Sequence, residues 1–260
     1  MRRHDVSDKC RQRPLLHDVL VGVDGPASLA SLRNIQEPMA TNRTMALEAE
    51  SVRKFKEQGS TVRQNTDESG NFTPERQELH DQIVEDMMGF QVQGDENAIK
   101  LGVGGGRAET PRAERQVVFL TGPAAAGKST MANSIQTSQG AYIVDSDFIK
   151  RKLPEFEDQG AFGTHEESKL VLGRMINKVI EGGSNAIIPK VGNNQATLSK
   201  MINKFAEAGY DVHVVTVDMP TRKVMERLSA RSIHTERHVQ NGMVANDHAD
   251  NPTRTWREVN

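Results

Sequence analysis

Cysteine is almost missing from this chain: its 260 residues hold one, Cys10. A single thiol excludes an intramolecular disulfide framework and a cysteine-based zinc cluster, and it fits a reducing compartment such as the cytoplasm. No apolar run approaches the roughly 18 residues that a membrane-spanning helix needs. Residues 1–12 carry basic side chains but no apolar stretch, so they do not read as a secretory signal. An excess of one charge is also missing, with 33 Lys and Arg against 35 Asp and Glu and a net charge of −2. That balance argues against a bulk nucleic-acid binder, which usually carries a basic surplus. Hydrophobic residues make up 36%. With the glycines added, this falls just short of the usual globular share, so part of the chain is not expected to form core.

The length allows one large domain, or a core domain with an appendage. Residues 1–71 read as a partly disordered N-terminal extension. Its first 40 residues have scattered apolar side chains and no sustained period; the alternative is a segment for a partner or for export. Within it, Met45, Ala49, Val52 and Phe55 give a weak helical period over 42–57. Residues 58–70 are polar and read as a loop. Residues 72–112 read as a packed helix and a linker. Thr73 is a helix cap, Pro74 takes the first helical position, and Glu75 suits the positive end of the helix dipole. Leu79, Ile83, Met87 and Phe90 make its apolar face, and Gly89 stands at the stop. Gly102–Gly106 follows no clear strand and reads as linker rather than phosphate loop.

From Gln116 the texture changes. Short continuous apolar runs at 117–120, 141–144, 185–188 and 212–217 suit strands buried on both faces of a parallel sheet. Helical periods separate them, one through Leu172, Met175, Ile176 and Val179 and another over 195–208. Strands alternating with helices predict an α/β fold with a parallel sheet flanked by helices over residues 113–260.

Directly after the first of these strands comes Gly122-Pro123-Ala124-Ala125-Ala126-Gly127-Lys128-Ser129-Thr130, which then opens a helix. This is the G-x-x-x-x-G-K-S phosphate loop. Its glycines let backbone N–H groups approach phosphate oxygens, and the helix adds its positive end. Lys128 reaches the β- and γ-phosphates and the Ser129 hydroxyl can ligate Mg²⁺, so ATP and Mg²⁺ are the expected ligands. The second strand ends in Asp145-Ser146-Asp147. Ligands in open α/β sheets sit beyond the carboxyl ends of strands. A carboxylate here can accept a proton from an attacking hydroxyl, hold Mg²⁺ through water, or simply cap the next helix.

The run Asp145-Ser-Asp147-Phe-Ile-Lys150-Arg-Lys-Leu153-Pro154-Glu155-Phe156, followed by Thr164-His165-Glu166-Glu167-Ser168, resembles the zeta-toxin family of P-loop kinases. Phe72-Thr-Pro-Glu-Arg76-Gln-Glu-Leu-His80 resembles the helix that precedes the phosphate loop in that family. The resemblance covers about residues 72–240. It implies a nucleotide-kinase-like fold and transfer of the ATP γ-phosphate to a hydroxyl of a nucleotide-linked small molecule, UDP-N-acetylglucosamine or, as in effector-type relatives, NAD. It implies a toxin or effector with an antitoxin protein as its restraining partner. It makes Asp147 the catalytic base, Lys128 a phosphate-binding catalytic residue, and Arg231 and Arg237 the substrate- and ATP-facing arginines. The family's acidic-Gly-Thr segment after the third strand is replaced here by Pro189-Lys190-Val191-Gly192-Asn193-Asn194. Lys190, Asn193 and Asn194 then become the candidate substrate ligands.

Other residues stay open at this level. Arg227 and Arg231 are four apart and share a helix face, which serves either a transferring phosphate or solvent. Glu166, at a helix start, either favours the dipole or faces substrate. Asp218 is either a metal-binding acid at a strand end or a helix cap. His234 and His238 have metal-ligand spacing but no third ligand. The chain ends at Asn260 without a clear closing strand, the pattern expected of a shortened family member. The alternatives to the toxin-like kinase are another small-molecule or nucleic-acid hydroxyl kinase, or a nucleotide-binding interaction module with a degenerate substrate site.

Overall fold

A computed structural model describes residues 42–89, 106–108, 110–192, 194–220, 222–224 and 226–228. The expectations for residues 1–40, Phe90, Gly102–Gly105, Asn193, Arg231, Arg237, His234 and His238 lie outside the described residues. Three helices come first: α1 (Asn42–Gln58), α2 (Thr61–Asn65) and α3 (Pro74–Met88). The sheet contains β1 (Gly106–Arg107), β2 (Gln116–Thr121), β3 (Tyr142–Ile143), β4 (Ala186–Pro189) and β5 (Asp211–Thr216). Between and after these strands run α4 (Lys128–Gln139), α5 (Ser146–Lys152), α6 (Phe156–Gly163), α7 (His165–Glu181) and α8 (Gln195–Glu207).

The sheet order is β1-β3-β4-β2-β5, with β3, β4, β2 and β5 parallel and β1 antiparallel to β3. The parallel sheet flanked by helices is the α/β architecture that the alternation of elements predicts, and it agrees with the fold that the family resemblance implies. β1 is an addition to it: the end of the Gly-rich run, read as linker, pairs with the edge of β3. β2 lies between β4 and β5, so whatever follows β2 emerges at the middle of the sheet's carboxyl edge.

Alternation along the strands sorts the core into two layers. Val117, Phe119, Val144, Ala186 and Ile188 face one side, against Val171, Met175, Val179 and Phe205 of α7 and α8 and against Ile83, Val84 and Met87 of α3. Val118, Leu120, Ile143 and Ile187 face the other, against Ala132 of α4. Each fully buried Leu, Ile, Val or Phe is worth about 1.5–3 kcal/mol relative to exposure. Phe205 meets the rings of Phe119 and Tyr210 edge-on, at 5.9 and 5.0 Å, a favoured aromatic geometry. Asn185, wholly buried at the entry to β4, accepts from the backbone N–H groups of Glu114 and Gln116 and donates to the Gln139 carbonyl. A buried amide satisfied in this way fixes register.

The helix start at Thr73 forms as the sequence predicts: its side chain accepts from Arg76 N, Pro74 takes the first position, and Gly89 is the cap at the end. The loop expected over 58–70 is corrected by α2. Thr61 is fully buried and donates its hydroxyl to the Gly163 carbonyl, and Gln64 meets Gln159. Contacts with α6 thus fold a polar segment whose composition favours a loop. α1 joins the same surface through Lys54 to Asp158 and through Gln58 to Gln159.

Candidate active site

The phosphate loop runs from the end of β2 into α4. Gly122 has φ +143°, and a Cβ there would stand 2.4 Å from the Val217 carbonyl, so only glycine fits. Its N–H donates to the Val191 carbonyl at 3.1 Å, tying the loop to the exit of β4. Ala125 and Gly127 also have positive φ, at 59° and 100°. A left-handed alanine is uncommon and costs strain that its surroundings must hold. Lys128 Nζ donates to the carbonyls of Gly122 and Pro123, both at 2.7 Å, which places the ammonium across the mouth of the loop. Ser129 and Thr130 are exposed in the first turn of α4, where backbone N–H groups lack partners within the helix. Together these features form a cationic nest for a polyphosphate.

A second cation covers this nest. Residues 222–224 and 226–228 are helical. Val224 and Leu228 are buried against Ala124 and Ala125 of the loop and against Met219. A Cβ on Gly127 would lie 3.6 Å from Arg227 Nη1. The loop's own alanines thus seat the segment that brings Arg227 over it. In sequence Arg227 was only one of several arginines; the signal for its place is the four-residue spacing of Val224 and Leu228. Asp218 is exposed just after β5.

At the same carboxyl edge of the sheet, with β4 between it and β2, β3 delivers two carboxylates. Asp145 caps α5, accepting from Asp147 N at 3.0 Å, which is the capping role the sequence allowed. Burial pushes its carboxyl above the ordinary range and the neighbouring Asp147 adds to this, while Lys190 and Lys150 oppose it. Asp147 is 43% exposed and accepts from Lys150 Nζ at 2.9 Å. Lys190 follows β4, and its N–H donates to the Leu120 carbonyl. Its ammonium is pushed down by burial, while Asp145 and Asp147 pull it up. His165, which begins α7, is lowered by burial and by Lys150 and Lys169, against the charges of Asp147 and Glu166. Asp145, Asp147, Lys150, His165, Glu166, Lys169 and Lys190 therefore share one electrostatic neighbourhood. Glu166 is exposed. Asn194 caps α8, its side-chain amide oxygen accepting from Thr197 N at 2.9 Å.

Among the described residues, no three His, Cys, Asp or Glu side chains cluster to hold a metal ion. The donor set of a serine hydroxyl beside a phosphate nest fits Mg²⁺, which usually binds through phosphate oxygens, water and one or two protein oxygens. Among the described residues, no helix is long and apolar enough to cross a membrane.

A family model for the AAA domain matches residues 117–249, about half of the chain. The chain belongs to that family. No curated protein matches the sequence. Among solved structures, the fold is similar to a chain of the AvrRxo1-ORF1:-ORF2 complex, with a TM-score of 0.51 and 18% identity over 73% of this chain and 61% of that one. The same complex with ATP gives a TM-score of 0.51 and 17% identity, over 74% and 61%. The PezAT toxin–antitoxin system of Streptococcus pneumoniae gives 0.46 and 19%, over 73% and 75%. This AAA-domain chain spans about three fifths of the AvrRxo1 chains that it matches.

Proposed function

We propose that the protein is a kinase that transfers the γ-phosphate of ATP to a hydroxyl of a nucleotide-linked small molecule, UDP-N-acetylglucosamine or NAD, and that it acts as a toxin or effector. The observation that carries this reading is the nest of Gly122–Thr130 with two carboxylates, Asp145 and Asp147, past the carboxyl end of β3, a parallel strand of the same sheet that β4 separates from β2. Phosphoryl transfer needs little covalent help from protein; it needs positioning and charge. Bound through Ser129, Mg²⁺ supplies charge neutralisation on the phosphates. Lys128 and the loop N–H groups hold the phosphates. Asp147, the more exposed carboxylate, takes the acceptor's proton as the acceptor oxygen bonds to phosphorus and the bond to ADP breaks. Arg227 neutralises the charge that develops on the transferred group, a role also assigned to Arg231 and Arg237.

The acceptor side supports a ligand with its own negative charge. Lys150 and Lys190 act on the carboxylates, Lys169 acts on Lys190 and His165, and a partly desolvated ammonium such as Lys190 gains most from an anionic partner. A phosphate-bearing acceptor satisfies this; a neutral sugar does not. A restraining partner protein is proposed on the family resemblance and on the two-protein composition of the AvrRxo1 complex.

The test is release of ADP by purified protein with Mg·ATP and either UDP-N-acetylglucosamine or NAD, with mass spectrometry of the products. Acceptor-dependent ADP and a singly phosphorylated product are expected. ATP binding without acceptor-dependent turnover, together with an unchanged metabolite profile in expressing cells, would favour a nucleotide-binding interaction module instead.

A further inference from the structure

Glu167 is wholly buried in the first turn of α7, yet it is charged. Its partner is Arg76 of α3, itself 7% exposed. Arg76 Nε and Nη2 donate to the two Glu167 oxygens at 2.6 and 2.9 Å. Its Nη1 and Nη2 donate to the two oxygens of Glu155 at 2.9 and 2.8 Å. One guanidinium thus forks two carboxylates at once, a geometry that lysine cannot reproduce. His80, one turn further along α3, lies 2.6 Å from Glu167 Oε1 through Nε2.

The two carboxylates sit at the two ends of one excursion. Glu155 is the N-cap residue of α6, three residues past the end of α5; Glu167 lies just beyond α6, in α7. α5 carries Asp147 and Lys150, and the first turn of α7 carries His165, Glu166 and Lys169. Arg76 therefore ties the chain that follows α5 to the first turn of α7. α3 adds apolar anchoring through Ile83, Val84 and Met87, which share a core with Ile149 and Leu153 of the α5 region. It adds peripheral pairs from Asp86 to Lys152 and from Asp81 to Arg174, which as exposed pairs contribute little.

We propose that Arg76 is a positioning residue for the acceptor site: its double fork to Glu155 and Glu167 sets the distance between α5 and the start of α7, so that α3, which lies before the family-matched residues 117–249, is part of the functional unit. The inference rests on the kinase reading for its consequence, but not for its structural content. A buried ion pair gives little net stability over apolar side chains of similar size, and its best-attested use is to specify one arrangement. The nucleotide nest is built from β2, α4 and the segment around Arg227, none of which touches Arg76 in the contacts above.

The test compares Arg76→Lys and the double variant Arg76→Met/Glu167→Met with wild type, using backbone hydrogen exchange, ATP affinity, and the KM and kcat for whichever of UDP-N-acetylglucosamine and NAD is turned over. In Arg76→Lys, exchange at 146–152 and 165–169 should rise about tenfold or more while β2 and β4 stay as protected as before. ATP affinity should hold, and acceptor KM should rise by a larger factor than kcat falls. The double variant removes the two most buried charges and leaves the part-exposed Glu155 to solvent, so it should recover part of the thermal stability lost in Arg76→Lys without recovering protection at 146–152 and 165–169. Exchange that rises evenly through β2 and β4, or only within α3, overturns the proposal, as does full recovery of protection by the double variant. If wild type turns over neither acceptor, the kinase reading fails, and the exchange pattern still decides whether Arg76 sets this geometry.

Discussion

The buried carboxylate of Glu167 makes a quantitative demand on acid stability. Burial by itself raises its affinity for a proton, but hydrogen bonds from His80 and Arg76 and the charge of Arg76 outweigh burial and hold the group at about 2, against 4.5 for an ordinary glutamate. Because the folded value lies below the unfolded one, the unfolded chain binds the proton more tightly. The stabilisation is therefore complete above about pH 5 and is lost as pH falls toward 2. The interval from 4.5 to about 2, at roughly 1.4 kcal/mol for each pH unit, corresponds to about 3 kcal/mol. Glu167→Gln imitates the protonated side chain at every pH. Urea unfolding followed by circular dichroism should show wild type more stable than Glu167→Gln by about this amount at pH 6.5, with the two curves converging to within about 1 kcal/mol near pH 2.5. A gap that stays constant from pH 6.5 to 2.5 would refute the reasoning, because it would mean that the charge of Glu167 is not what the cluster stabilises.

Three expectations concern the site itself. Lys128→Ala should keep the circular dichroism melt of wild type, weaken Mg·ATP binding in calorimetry and abolish transfer; wild-type turnover would remove the loop from the mechanism. Asp147→Asn should leave ATP affinity nearly unchanged and lower transfer by about 10²–10⁴-fold, the usual worth of a general base. Asp145→Asn should do less, since asparagine caps a helix about as well as aspartate; if the larger loss follows Asp145→Asn, the two roles are exchanged. Arg227→Ala should lower kcat by about 10²–10³-fold, the scale of one lost transition-state donor, and Arg227→Lys should restore little of it; an unchanged kcat would leave that role to Arg231 or Arg237.

What the sequence made legible was local. The phosphate loop is a string of conformational demands, a glycine where a Cβ would strike Val217 and another at the positive-φ cap of α4, and such demands appear as spacing. The start of α3 is equally local, because Thr73, Pro74 and Arg76 N meet within one turn. The cap at Asn194 is local as well, since it lies three residues before Thr197, whose N–H it accepts. What remained hidden joined distant parts of the chain. Arg76 lies 79 residues from Glu155 and 91 from Glu167, and the approach of Arg227 to Gly127 depends on Val224 and Leu228 packing on Ala124 and Ala125.

A trace of the long-range cluster was nevertheless present. Glu167 stands four residues before Val171 on the face that carries Val171, Met175 and Val179. Arg76 and His80 continue the stripe of Ile83 and Met87 at spacings of four and three. A charge of each sign on two apolar stripes has only two outcomes: the helices expose those faces, or the charges meet each other when the faces pack. The depth of the neighbouring core, with Ile83, Val84, Met87, Val171 and Met175 all within 2% exposure, rules out the first. The same packing that buries α3 against α7 therefore forces Arg76 onto Glu167, and Glu155 completes the neutralisation from the other side. Since Glu155 and Glu167 both lie between Asp147 and Lys169 in the chain, the packing of α3 on α7 also ties the segment after α5 to the first turn of α7.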